Sequence, residues 1–153
     1  MRYMVDVIGT KPVSKNFLRM GDRVQDARPA FTKILAYIFD VEKRIFSSEG
    51  RRGGGSWRRL SPSWTERKSE LYPGETRMGI ASGVLYEALT QPDAPHQNIK
   101  LQRQQLIVGI ALPYIVTQQE NRPVIKFTKK DTEHMRGILS DHLMSVWRRR
   151  RRV

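Results

Sequence analysis

Histidine is the side chain whose ordinary pKa suits it to proton transfer near neutral pH, so the three histidines set the first question about chemistry. His96 lies in a proline-flanked stretch, while His134 and His142 fall eight residues apart, about two turns of a helix. His142 sits on an apolar stripe, which predicts a hydrogen-bonded core residue. No His-x-x-x-His pair, acidic cluster or Gly-x-Ser-x-Gly elbow accompanies them, so metal or triad chemistry has no motif. The chain has no cysteine, which excludes disulfides, thiolate zinc sites and cysteine nucleophiles. RNase-like chemistry would have only His134 or His142 behind it. The expectation is a protein that is not an enzyme, with no catalytic, cofactor-binding or metal-binding residues.

A second constellation is the segment SSEGRRGGGSWRRLSPSWTERK, Ser47 to Lys68. A phosphate-cradling loop needs a strand before its glycines and a Gly-Lys-Ser/Thr opening a helix, so that oriented N–H groups and a lysine meet the anion. Here the glycines follow a predicted helix and no Gly-Lys-Ser/Thr occurs, which leaves an adaptable loop. Nucleic-acid binding is a stronger alternative. Arg51, Arg52, Arg58 and Arg59 interleave with Trp57 and Trp64, which could stack on bases while the guanidinium groups meet phosphates. Against it, Trp57, Leu60 and Trp64 could anchor the loop to the core and leave the arginines in water. The helix-like spacing of Leu60 and Trp64 favours this anchoring.

Charge points the same way. There are 28 Lys+Arg against 15 Asp+Glu, a net charge of +13 with a pI near 10.6. Five of those charges form one run, Arg148, Arg149, Arg150, Arg151 and Arg152, which leaves +8 on the body. Such a balance fits a polyanionic neighbour, either nucleic acid or an acidic protein surface. DNA contact through the run would be sequence-independent and salt-sensitive. The apolar fraction of 39% predicts a small core and a large polar or shared surface. No signal-peptide stretch or window of membrane-spanning length is present, so the expectation is a soluble protein made in the cytoplasm.

These residues need elements to hold them. Tyr3–Gly9 alternates as an opening strand. A long helix is predicted from Asp26 as N-cap, with Pro29 in its first turn. Its stripe is Phe31, Ile34, Leu35, Ile38, Val41, Ile45 and Phe46. Ser63 is the expected cap, with Glu66, of a short helix to Leu71. Ala81–Thr90 reads as another, with Ser82 as its cap. Asn98–Ala111 reads as a strand pair or one bent strand turning near Gln102–Gln105. Pro113 marks a turn before a single helical turn to Gln119, and VIKFT is a short strand or extended segment. Thr128 and Asp131 cap a final helix with the stripe Met135, Ile138, Leu139, His142, Leu143, Val146 and Trp147. The result is an α+β domain over residues 1–147 and a basic tail over 148–153. A small, mostly antiparallel sheet packs against the two long helices, with the glycine loop and short helices inserted. The strand Leu106–Ile110 and the two long helices are expected to form the core.

Four blocks in order resemble the bacteriophage tail-completion (virion morphogenesis) family typified by the Mu-type protein. The first carries Gly53, Gly54, Gly55, Trp57, Leu60, Ser61, Pro62 and Lys68, with Trp64-Thr65 near a threonine position. The second, ASGVLYEAL, keeps Gly83 and Leu85 with Ser82 where threonine is usual. The third, PYIVTQQE, keeps Tyr114 and Gln118 or Gln119, while the family's histidine is absent. The fourth has Arg122, Pro123, Phe127, Thr128 and Asp131. The likeness runs from Phe31 to Leu143.

The resemblance implies a non-enzymatic virion protein of the neck, which completes or terminates the tail and joins it to the head. It implies a homo-oligomeric ring, sixfold by the family's pattern, around the DNA channel. Partners would be tail-tube and head-closure or connector proteins, with non-specific contact to genomic DNA and no membrane. Assembly would take place in the host cytoplasm. On this reading Gly53–Trp57 and Leu60–Pro62 are an inter-subunit or partner-facing loop. Arg51, Arg52, Arg58, Arg59 and Arg148–Arg152 are the candidate DNA-facing charges. The alternative is a stand-alone, sequence-independent nucleic-acid-binding protein using the same arginines.

Overall fold

The computed structural model describes residues 10–75 and 77–148, and the Tyr3–Gly9 strand and Arg149–Arg152 fall outside them. Six helices and one hairpin make a small α+β fold over these residues. The order is α1 (Thr10–Gln25), α2 (Arg28–Ser47), a 3₁₀ turn (Arg51–Gly53), α3 (Pro62–Leu71), α4 (Val84–Thr90), β1 (Gln97–Leu101), β2 (Leu106–Ile110), α5 (Ile115–Asn121) and α6 (Lys129–Arg148).

α2 forms as its 3.6-residue apolar period requires, but its N-cap is Ala27 and not Asp26. Asp26 still serves the helix start. Its Oδ1 accepts the Arg28 backbone N–H at 3.2 Å, and its carboxylate pairs with the Arg28 guanidinium at 2.6 Å. α3 is capped by Ser61, not Ser63: the Ser61 hydroxyl accepts the Trp64 N–H at 3.3 Å, and Pro62 occupies the first helical position. α4 begins at Val84 behind Gly83, whose φ of 85° no serine adopts comfortably, so Ser82 is not its cap. α6 has the expected reciprocal box. Thr128 N donates to Asp131 Oδ2 at 2.7 Å and Asp131 N to Thr128 Oγ1 at 3.3 Å.

β1 and β2 pair antiparallel, from Gln97 opposite Ile110 to Leu101 opposite Leu106, and the turn closes with Gln102 N donating to Gln105 O at 2.8 Å. The VIKFT segment forms no strand. The Gln119 side chain takes its hydrogen bonds instead. Oε1 accepts from Val124 N and Ile125 N, both at 3.0 Å, and Nε2 donates to Ile125 O at 2.8 Å. A side-chain amide thus stands where a neighbouring strand would be.

The core is small, as the apolar fraction predicts, but only α2 of the two long helices enters it. Val41, Ile45 and Phe46 of α2 meet Leu85 and Leu89 of α4, with Trp57, Ile80, Leu112 and Val124 from the connections. β2 touches it only at its end: Ile110 packs against the cluster half-buried, while Ile107 and Val108 are exposed. The middle of α6 is only half-buried, with Met135, Ile138, Leu139, His142 and Leu143 all partly open. α6 lies along α1 as well as α2, and α1 was not anticipated although Val13, Phe17, Met20 and Val24 repeat at helical spacing. Arg23 donates to His142 O at 3.0 Å, and His142 Nε2 lies 3.1 Å from Asp26 O. His142 is thus hydrogen-bonded at the α1–α6 seam.

Candidate partner groove

The glycine loop splits into an inward half and an outward half. Gly50 begins the inward half with φ 84°, and its backbone N–H reaches back to Ile45 O at 2.9 Å. Trp57 ends it, 5% exposed, with its N–H on Glu49 O and its indole Nε1 donating to Pro123 O, both at 2.9 Å. Two glycines flank the indole. A Cβ on Gly50 would lie 2.5 Å from its Cδ1, and one on Gly79 would lie 2.6 Å from its Cζ3. Those glycines are what lets a bulky ring close the loop.

Arg52 is also drawn inward. Its guanidinium pairs with Asp131, which is fully buried, and Tyr37 Oη donates to the same carboxylate at 2.7 Å. Thr128 adds two more donors, N–H at 2.7 Å and hydroxyl at 2.6 Å. Burial alone would raise the Asp131 pKa, but the Arg52, Thr128 and Tyr37 bonds together hold it well below the usual carboxylate range. Arg52 is therefore not a DNA-facing charge, and Gly53 and Trp57 are buried in the body and not partner-facing. Gly54, Gly55 and Arg51 remain exposed.

Beside this cluster lies Glu42 of α2, 1% exposed, with neither carboxylate oxygen hydrogen-bonded. Burial, with the Asp131 charge adding to it, raises its pKa to about 8, so it carries a proton at neutral pH. Glu42 escaped sequence analysis, although Ile38, Val41, Ile45 and Phe46 bracket it on the stripe.

The outward half, Arg58–Pro62, lines two grooves that share a wall of Leu60, Tyr114, Gln118 and Arg122. One, about 560 Å³, is enclosed further by Trp64, Tyr72, Ile80 and Leu85. The other, about 630 Å³, has Arg58, Arg59, Ser61 and Pro62 on its far side. Trp64 is 40% exposed and Tyr114 46%, so the expected packing of Trp64 onto the core does not occur. Two struts hold this geometry. Arg122 Nε donates to Arg58 O at 3.0 Å, tying the end of α5 to the loop. Lys68 is buried and its Nζ donates to Arg77 O at 2.6 Å, fixing α3 against the chain leading to Ile80. Burial lowers the Lys68 pKa.

The four blocks marked in the sequence, although far apart in the chain, meet here. Leu60 and Lys68 come from the first, Ser82, Gly83 and Leu85 from the second, Tyr114 and Gln118 from the third, and Arg122 from the fourth. The histidines do not converge: His134 stacks on Tyr37 with ring centroids 4.3 Å apart, and His96 sits in an exposed loop at φ 67°. Among the described residues no group of three or more His, Asp or Glu is placed to hold a metal, and no helix is long and apolar enough to cross a membrane.

The chain matches no family model, no curated protein and no solved structure.

Proposed function

We propose that this is a structural protein of the phage neck, a tail-completion or tail-terminator subunit. It works by self-assembly and by docking a neighbouring virion protein, and it has no catalytic role. One observation carries the reading. The four blocks that resemble the tail-completion family gather their side chains around one groove, as residues kept for a shared contact would. The groove combines exposed aromatics with arginines, the residue types that dominate protein contacts. The second arm of the reading is a ring, in which the exposed apolar residues Phe17, Leu18 and Val24 of α1 would be covered by a neighbouring copy.

Native mass spectrometry of the full chain tests this directly. A closed ring, sixfold by the family's pattern, is the expected species. A monomer at every concentration, with tight salt-dependent DNA binding, would replace the neck reading by that of a stand-alone nucleic-acid-binding protein.

A further inference from the structure

The paired grooves also carry information about what fills them. Their linings hold Arg58, Arg59 and Arg122 but no carboxylate. None of the ion pairs among the described residues involves these three arginines. Arg122 is the most telling, because it is half-buried on the shared wall and its Nε is already taken by Arg58 O. Its two terminal amines keep the fork geometry that matches a carboxylate. The deeper end of the 560 Å³ groove is different: Ile80, Leu85 and Tyr86 make it apolar, and its one cation, Lys68, is engaged by Arg77 O.

We infer that the groove binds a short acidic peptide segment of a partner protein, with a carboxylate on Arg122 and an adjacent aromatic or aliphatic side chain between Trp64 and Leu85. The inference rests on the groove being partner-facing. Charge complementarity selects the anion, and the distribution of charge selects a peptide. A nucleic-acid strand carries one charge per nucleotide along its whole length and calls for cations throughout. Here cationic groups cluster at one end and apolar ones at the other, which suits one carboxylate followed by one apolar anchor.

The test uses the full-length ¹⁵N-labelled protein and the blocked peptide acetyl-Asp-Phe-Asp-Leu-Asp-Gly-amide as probe. Saturable shifts are expected at the Trp64 indole and at Tyr114 and Arg122, with a Kd on the order of 10–500 µM, as for other short linear segments. Replacing each Asp of the peptide by Asn weakens binding at least ~10-fold, and so does Arg122→Ala. Gln118→Glu, which removes no strut and adds a repelling charge to the shared wall, has the same effect should Arg122→Ala disturb the fold. Arg19→Ala, on exposed α1, leaves binding unchanged. The inference is overturned by no saturation up to ~2 mM peptide, a range that includes weak linear-motif binding. It is also overturned by equal affinity for the Asn peptide, or by a 12-nucleotide thymidine strand taking the same residues in preference. Native mass spectra of the same samples separate the two ideas. A ring without peptide binding removes only the acidic partner, and a monomer that binds the peptide removes the neck and leaves the groove.

Discussion

Residues Gly50–Trp57 and Arg58–Pro62 adjoin in sequence and share a pair of arginines, a serine and a large apolar side chain, yet they have opposite fates. In the first stretch Arg52 finds a buried carboxylate and Trp57 finds a carbonyl and two glycines, so the loop becomes part of the body. In the second, Arg58 and Arg59 meet no carboxylate and stay in water beside an open groove. The difference does not lie in the arginines. It lies in Asp131, brought to α2 by the first turn of a helix nearly eighty residues away in the chain. A basic loop is structural where the fold supplies its counter-ion and available for partners where it does not.

Removing that counter-ion should erase the contrast. Asp131→Ala leaves Arg52 without its pair, Tyr37 without its acceptor and Thr128 without the carboxylate half of the α6 capping box, and should lower stability in urea by about 3–5 kcal/mol. A loss below ~1 kcal/mol, the worth of an exposed pair, would mean the two halves are not differently held.

Glu42 offers a second, pH-dependent test. Its folded pKa is raised, so the folded state holds a proton that the unfolded chain releases above about 4.5. Stability from this group therefore falls as pH rises from about 4.5 to about 8 and is level beyond. Asp131 acts in the opposite sense: its depressed pKa adds stability above the usual carboxylate value of 3.8 that is lost as pH falls. Glu42→Leu should gain about 2–4 kcal/mol more over wild type at pH 8 than at pH 5, measured as the change in urea midpoint. A gain independent of pH would show that Glu42 is ionised in the folded protein.

Gly54 carries a φ of 83° with open space beyond it, so Gly54→Ala should cost about 1–2 kcal/mol from backbone strain alone. It tests whether the turn between the two halves needs its left-handed residue. The smallest effect is expected from Arg58→Ala with Arg59→Ala. Stability should change by less than about 0.5 kcal/mol, because exposed unpaired charges contribute little. A larger loss in thermal melts would place these arginines in the body.

How far this arrangement could be read in the sequence follows from the range of the interactions. The α2 stripe, the hairpin around Gln102–Gln105 and the Thr128–Asp131 box depend on neighbours within a few residues, and each formed as expected. The opening strand at Tyr3–Gly9 lies outside the described residues. The cap of α3 shifted from Ser63 to Ser61 because Pro62 fits the first helical position and serine precedes it. Long-range matters were not legible. Nothing local says that Arg52 meets Asp131, that Gln119 takes the place of a strand, or that Ile107 and Val108 of β2 stay at the surface. Glu42 could have been found, since a carboxylate inside an apolar stripe demands a partner or a proton. The groove was visible only as four separate blocks, and which faces they shared came from the fold.

The inward half ends in the indole of Trp57 and the helix that follows the outward half carries that of Trp64, and their contrasting surroundings have an optical consequence. Trp57 is sealed between Gly50 and Gly79, so its emission should lie to the blue and resist aqueous quenchers. Trp64, half in water at the groove, should emit to the red and be quenched readily. Single-tryptophan forms of the chain would then report loop opening through one fluorophore and groove occupancy through the other.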